Sequence, residues 1–185
     1  LNLIGYEGVA MIANAGIDMA AWDALAKAAD VPLAVLLGGT VGSVPAYNSN
    51  GLWLTDPGSL HDEAAELAAE GGFDAFKLRL GRDKLADDLG AISQVRAAVG
   101  ADAKLMVDFN QGLTLGDAIR RCHALDDLGL YWFEEPTTYN NLEGYAQLAR
   151  ELCTPVQLGE NFYGPRELYR AITMQAGDYV MPDMM

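Results

Sequence analysis

The sequence predicts a parallel α/β fold of the (β/α)-barrel class, represented incompletely by about six strands. Three observations carry this expectation. Strand-like apolar runs alternate with amphipathic helical segments, which implies a parallel sheet with right-handed crossovers. The units follow one another at short spacing, which favours a barrel over a doubly wound sheet. No G-x-G-x-x-G follows any strand, which counts against a dinucleotide-binding fold.

The strand-like runs are SVPAYNSNG (43–51), FDAFKLRLG (73–81), AKLMVDFNQ (103–111), LYWFEEPT (130–137), PVQLGENF (155–162) and DYVMPDMM (178–185). Helices are expected between them over residues 58–70, 84–99, 114–128, 141–152 and 165–176, each opening near a Gly, Pro, Asn or Thr that can start a helix. Within 84–99 the spacing predicts a buried stripe of Leu85, Leu89, Ile92 and Val99, with Lys84, Asp87, Asp88 and Arg96 on the solvent side.

A chain of 185 residues, 51% hydrophobic, is long enough for one domain with a sizeable core. Its 12 Lys and Arg against 26 Asp and Glu leave a formal net charge of −14. That balance argues against nucleic-acid or anionic-membrane partners, since both need a basic face. No uninterrupted apolar run of about 18 residues occurs, and the start LNLIGYEG lacks the basic-then-apolar order of a secretory signal, so a cytoplasmic protein is expected. Cys122 and Cys153 carry no metal-site spacing and are expected as inert buried thiols in helices.

The charged residues show a pattern of their own. Lys77, Asp108, Glu134, Glu160 and Asp183 each stand near the C-terminal end of a different predicted strand. In a barrel those ends converge on one mouth, where active sites are built. A single acid after a strand is more often a helix N-cap or a solvated loop residue. Three successive strands ending in acids need another account, because crowded carboxylates repel unless a cation sits among them. A hard divalent ion such as Mg²⁺ takes all-oxygen ligation. Asp108, Glu134 and Glu160 are therefore the expected metal ligands.

In order and spacing, ANAGIDMAAWDALAKAADVPLAVLLGG (13–39), LMVDFNQ, WFEEPT, QLGENF and MPDMM resemble the mandelate racemase branch of the mandelate racemase / muconate lactonizing enzyme family, within the enolase superfamily. The resemblance spans essentially the whole chain. It implies a lead-in helix and linker over 1–42 and a partial barrel over 43–185. It also implies Mg²⁺ held by the Asp of VDFNQ, the first Glu of FEEP and the Glu of GEN, the same three residues reached on charge grounds. The implied chemistry is removal of the proton next to a substrate carboxylate by a Lys or His base, with the metal stabilising the resulting enediolate. The partner implied is a small-molecule carboxylate, and a homo-oligomer is expected.

FKLRLG (76–81) supplies the base side. Lys77 and Arg79 are two apart on a strand and so face the same way. A neighbouring cation lowers a lysine's pKa, which can make Lys77 a base near neutrality. The racemases resembled here carry K-x-K, whose second lysine takes the proton, whereas this chain has K-x-R. Arginine stays protonated and accepts protons poorly, though its fork of donors suits a carboxylate. Racemisation needs an acid/base group on each face of the α-carbon, so Arg79 favours dehydration of a hydroxy or sugar acid. A mandelate-type racemase and a non-catalytic barrel fragment remain as alternatives.

By resemblance, Asn110 and Ser49 contact substrate, although either can instead cap a helix or turn. Glu135 and Asn161 adjoin the expected ligands and are read as groups that orient them. Asp183 matches an acid that orients a histidine from a following strand. The two histidines present, His61 and His123, fall in outer helices with surface roles expected. Six strands cannot close a barrel of about eight. By the same resemblance the chain lacks the family's capping domain as well as the last strands; the expectation is a longer protein, with at least two more strands and a histidine for Asp183.

Overall fold

The computed structural model describes residues 3, 5 and 7–183. Its element order is α1 (Gly8–Ala28), α2 (Leu33–Leu36), a short 3₁₀ turn (Pro57–Ser59), α3 (Leu60–Ala69), β1 (Ala75–Arg79), α4 (Leu85–Val99), β2 (Lys104–Asp108), α5 (Leu115–Leu125), β3 (Trp132–Glu134), α6 (Leu142–Glu151), β4 (Val156–Leu158), α7 (Pro165–Met174) and β5 (Tyr179–Val180). The five strands form one parallel sheet in the order β1-β2-β3-β4-β5. Sequential order with a helix after each of β1 to β4 is the winding of a (β/α) barrel, not of a doubly wound sheet, whose order reverses at a switch point. The last two residues of the expected run 178–185, Met184 and Met185, lie outside the described residues.

The run at 43–51 does not form a strand. It contributes a single bridge, Asn48 to Phe76, made by Asn48 N–H donating to the Ala75 carbonyl and Lys77 N–H to that of Asn48. Pro45 has no N–H to add to a ladder, and Gly51 and Leu52 turn away with φ of +127° and +53°.

The helix signals are seen at the residues that suggested them. Thr114 caps α5 by accepting from Asp117 N–H at 3.2 Å, and Asn141 caps α6 by accepting from Gly144 N–H at 3.1 Å. Pro165 opens α7, where a missing N–H costs nothing. The face assigned to α4 is corrected: it buries Asp88, Ala91, Ile92 and Val95, while Leu89 is exposed. Arg121 and Arg82 draw Asp88 inward by ion pairing, a long-range cause with no trace in the helix's own periodicity.

One apolar core lies between the sheet and helices α3 to α7, with Leu78, Leu105, Val107, Phe133 and Leu158 facing Leu60, Ile92, Leu125, Tyr145 and Leu148. A second cluster of Ala75, Met106 and Trp132 lies on the opposite, inner face, with Tyr47 and Tyr131 packed against it. Helix α1 buries only Ala15 and Ala26. By length and composition it is long and apolar enough to cross a membrane, though Asp18 and Asp23 interrupt it. Cys122 is buried in α5, where burial pushes its thiol up to about 12. Cys153 departs from expectation: it is exposed, beyond the end of α6, because its N–H and that of Thr154 are drawn onto the Asp126 carboxylate at the foot of α5.

Candidate active site at the strand ends

Alternation along each strand sends every second side chain to the inner face. The parallel register then sets these residues in rows. Arg79 pairs with Asp108, Asp108 with Glu134, and Glu134 with Gln157. One row therefore carries a guanidinium, two carboxylates and an amide across four strands. Lys77 lies one step back on β1, in register with Met106.

The charged members of this layer are buried, with Asp108 at 1% and Glu134 at 0% exposure. Lys77 lies between them: its Nζ is 3.1 Å from Asp108 Oδ2 and 2.8 Å from Glu134 Oε1. Burial alone would lower the Lys77 pKa, but the hydrogen bond to Glu134 and the charges of both acids outweigh it, and the ammonium is stabilised above its ordinary value. This corrects the expectation that Arg79 lowers the Lys77 pKa: Asp108 and Glu134 raise it instead. Burial, then the Asp108 charge, raises Glu134, with Lys77 opposing.

Arg79 stands at the edge of the same group. Its Nε is 3.8 Å from Asp108 Oδ2 and has no hydrogen-bond partner, while its Nη1 donates to the Ser49 carbonyl at 3.3 Å. The Trp53 ring stacks over the guanidinium at 4.6 Å. Of the two expected substrate contacts, Ser49 meets this layer through its backbone. Asn110 turns back with φ of +45°, its N–H and Nδ2 donating to the two oxygens of Asp108 at 2.8 and 3.2 Å. The left-handed conformation suits asparagine and ends β2 at its acid.

Glu160 does not belong to the buried row. β4 ends at Leu158, and Glu160 follows after Gly159, exposed. Gly159 has φ of +127°, and a Cβ there would meet Met181 N at 3.1 Å and the Phe162 ring at 3.2 Å. Glu160, Asn161 and Asp183 instead line a cavity of about 260 Å³ together with Ile12 of α1. Among the described residues, no group of three or more His, Cys, Asp or Glu stands close enough to hold a metal ion. The structure thus joins Asp108, Glu134, Lys77 and Arg79 in one layer and gathers Glu160, Asn161 and Asp183 around a cavity. Glu135 is buried in a left-handed conformation with φ of +41°. One of its oxygens accepts from Gln111 Nε2 at 2.7 Å, and the other has no partner. Burial foremost, with the Glu160 charge adding and the Gln111 bond opposing, pushes its carboxyl up to about 7. His61 and His123 lie on α3 and α5, paired with Asp62 and Glu151 at the surface.

Sequence reasoning missed two members of the layer. Trp132 donates its indole N–H to Glu134 Oε2 at 3.1 Å, and Gln157 fills the β4 place in the row. Counting two residues back from Glu134 finds Trp132, and counting two forward reaches no strand, because β3 ends at Glu134. Nothing local marks Gln157, whose importance depends on register.

The same segments match known families. Residues 59–185 match the family model described as enolase C-terminal domain-like, and residues 3–38 match the mandelate racemase / muconate lactonizing enzyme N-terminal domain. The chain belongs to the mandelate racemase / muconate lactonizing enzyme family. Among curated members of this enolase-superfamily group, it is 38% identical to the L-talarate/galactarate dehydratase of Salmonella typhimurium over 180 residues, 97% of this chain and 45% of that protein. It is 34% identical to the arabinonate dehydratase of Saccharolobus solfataricus, over 98% of this chain and 49% of that protein. Among solved structures, an enolase from alpha proteobacterium bal199 with bound Mg is 57% identical with a TM-score of 0.94, covering 98% of this chain and 51% of that one. A Bradyrhizobium enolase complexed with magnesium and mandelic acid is 39% identical with a TM-score of 0.91, covering 99% and 50%. The chain spans about half the length of the curated relatives it matches.

Proposed function

We propose that this chain carries the metal-binding part of an Mg²⁺-dependent enzyme that removes the α-proton of a hydroxy-acid or acid-sugar carboxylate and eliminates water from it. The observation that carries the reading is the buried register pair Asp108 and Glu134 sharing one cation, the Lys77 ammonium, at 3.1 and 2.8 Å. Two carboxylates in a water-poor site demand a positive charge between them, and the donor set, all oxygen, fits Mg²⁺. Dehydratases among the relatives and magnesium in the solved neighbours support the same chemistry.

Asp108 and Glu134 would hold the ion, and Glu160, exposed on the loop after β4 and outside their row, is the third acid proposed for it. When bound, Mg²⁺ supplies positive charge against the substrate carboxylate as negative charge develops there, a stabilisation selective for the transition state. Arg79 offers its unpartnered Nε–H to that carboxylate and stays charged while doing so. Lys77 lies on the same face, and with a metal's charge in place of its own between Asp108 and Glu134 its amine would be the group placed to take a proton from the α-carbon. Ser49 and Asn110 border substrate, while Glu135 and Asn161 orient the acids beside them. Asp183 acts from the rim, where it lines the cavity with Glu160.

Arginine in place of a second lysine favours elimination from one face over racemisation, which needs a proton-transfer group on both. The neighbour with mandelic acid keeps racemisation as the second reading. Intact protein incubated in D₂O with Mg²⁺ and a panel of hydroxy and sugar acids separates them. Dehydration yields a 2-keto acid; racemisation yields α-deuterium with no new carbonyl. Neither product from any acid refutes both. Glu160→Gln is expected to weaken Mg²⁺ binding and abolish turnover, and full activity in that variant removes the ligand assignment.

A further inference from the structure

The aromatic residues beneath the charged layer have a geometric relation to it that the proposed chemistry does not use. Trp132 and Glu134 are two apart on β3 and share the inner face. Glu134 has each oxygen differently engaged: Oε1 meets the Lys77 ammonium at 2.8 Å, and Oε2 accepts from Trp132 Nε1 at 3.1 Å. The indole is not free to turn. Tyr47 packs edge-on against it at 5.6 Å, Tyr131 lies at 5.3 Å and Tyr179 at 5.7 Å, and only 9% of the residue is exposed.

We propose that Trp132 is a positioning residue for Glu134: its wedged indole N–H fixes Oε2 from the barrel interior and thereby presents Oε1 to the cation shared with Asp108. The inference rests on reading Glu134 as a metal ligand. An indole N–H suits this task because it is donor-only and uncharged. It holds one oxygen without competing for the cation, whereas a second lysine there would neutralise the site. A carboxylate free to rotate would lose freedom on binding a metal, and one already held does not. Partners that orient a ligand in this way are typically worth about 10- to 100-fold in metal affinity.

Trp132→Phe keeps a six-membered ring among Tyr47, Tyr131 and Tyr179 and removes the N–H donor together with the rest of the indole. Titration of the intact protein with Mg²⁺ alone, followed by calorimetry without substrate, is expected to show a dissociation constant about tenfold higher in W132F than in wild type. Equal Mg²⁺ affinity overturns the inference and leaves the proposed function standing. No Mg²⁺ binding by wild type overturns the metal reading and this role with it. A second measurement needs neither metal nor a Trp132 variant that folds. In ¹⁵N-labelled protein with its three tryptophans, Glu134→Gln is expected to shift one indole N–H resonance and to leave those of Trp22 and Trp53 in place. Three unmoved indole resonances show that the bond to Glu134 does not exist.

Discussion

Asp88→Ala should be among the most destabilising single substitutions in this chain. Asp88 is fully buried on α4. It takes Arg121 Nη1 at 2.6 Å and Arg82 Nη1 at 3.4 Å, along with the backbone N–H groups of Gly81 at 3.2 Å and Arg82 at 3.1 Å. Removing it strands two guanidinium groups whose side chains are only 14% and 8% exposed. Loss of one partner from a buried ion pair costs about 3–5 kcal/mol, because the other charge stays desolvated. Arg82 retains the carbonyls of Thr55, Trp53 and Arg79, each at 3.1 Å, and Arg121 retains that of Asp83 at 2.9 Å. Those acceptors place the expected loss at the lower end, about 3 kcal/mol. Urea denaturation followed by circular dichroism measures it. In a double-mutant cycle, Asp88→Leu with Arg121→Met should recover part of that loss, since removing both charges removes the stranded one. A loss below about 1 kcal/mol in D88A, or additivity of the two changes within about 0.5 kcal/mol, would refute the account.

Two further outcomes follow from the same kind of contact. Burial alone would raise the Asp126 carboxyl, but hydrogen bonds from Cys153 and Thr154 hold it below the ordinary value; its stabilisation is therefore present above about pH 4 and lost as the pH falls through the depressed value. Asp126→Asn should accordingly be less stable than wild type at pH 7, with the gap in urea midpoint closing below about pH 4, and a gap unchanged down to pH 2 contradicts this. At Gly177 an added Cβ would collide with Leu158 Cδ2 and stand 3.0 Å from the Val156 carbonyl oxygen; Gly177→Ala should cost about 1–3 kcal/mol, read as a lowered melting temperature, and an unchanged one refutes the close approach.

Much of the architecture was legible because its causes are local. Thr114, Asn141 and Pro165 start helices through their own side chains. The apolar runs that became β1 to β4 alternate with helices because each burial pattern has its own period. Asp108 and Glu134 could be picked as a pair, since equivalent acids at the ends of successive parallel strands must lie side by side. The errors have causes that act at a distance. Asp88 reads as a solvent-side acid until Arg121, on another helix, is brought against it. The lowered Lys77 pKa expected from Arg79 is reversed by two carboxylates that reach its ammonium from other strands. Residues 43–51 have the apolar content of a strand but only one bridge to β1.

The sequence by itself determined the alternation of strands and helices, the caps that begin them and the parity that sends Lys77, Arg79, Asp108 and Glu134 to one face. Only the tertiary structure decided which charges meet: register set Asp108 beside Glu134, the wedge of tyrosines aimed Trp132 at its carboxylate, and the early end of β4 left Glu160 on the rim. The physical reason is range. Propensity and periodicity act within a few residues of the chain, whereas hydrogen bonds and ion pairs depend on the last ångström between segments that the sequence keeps far apart.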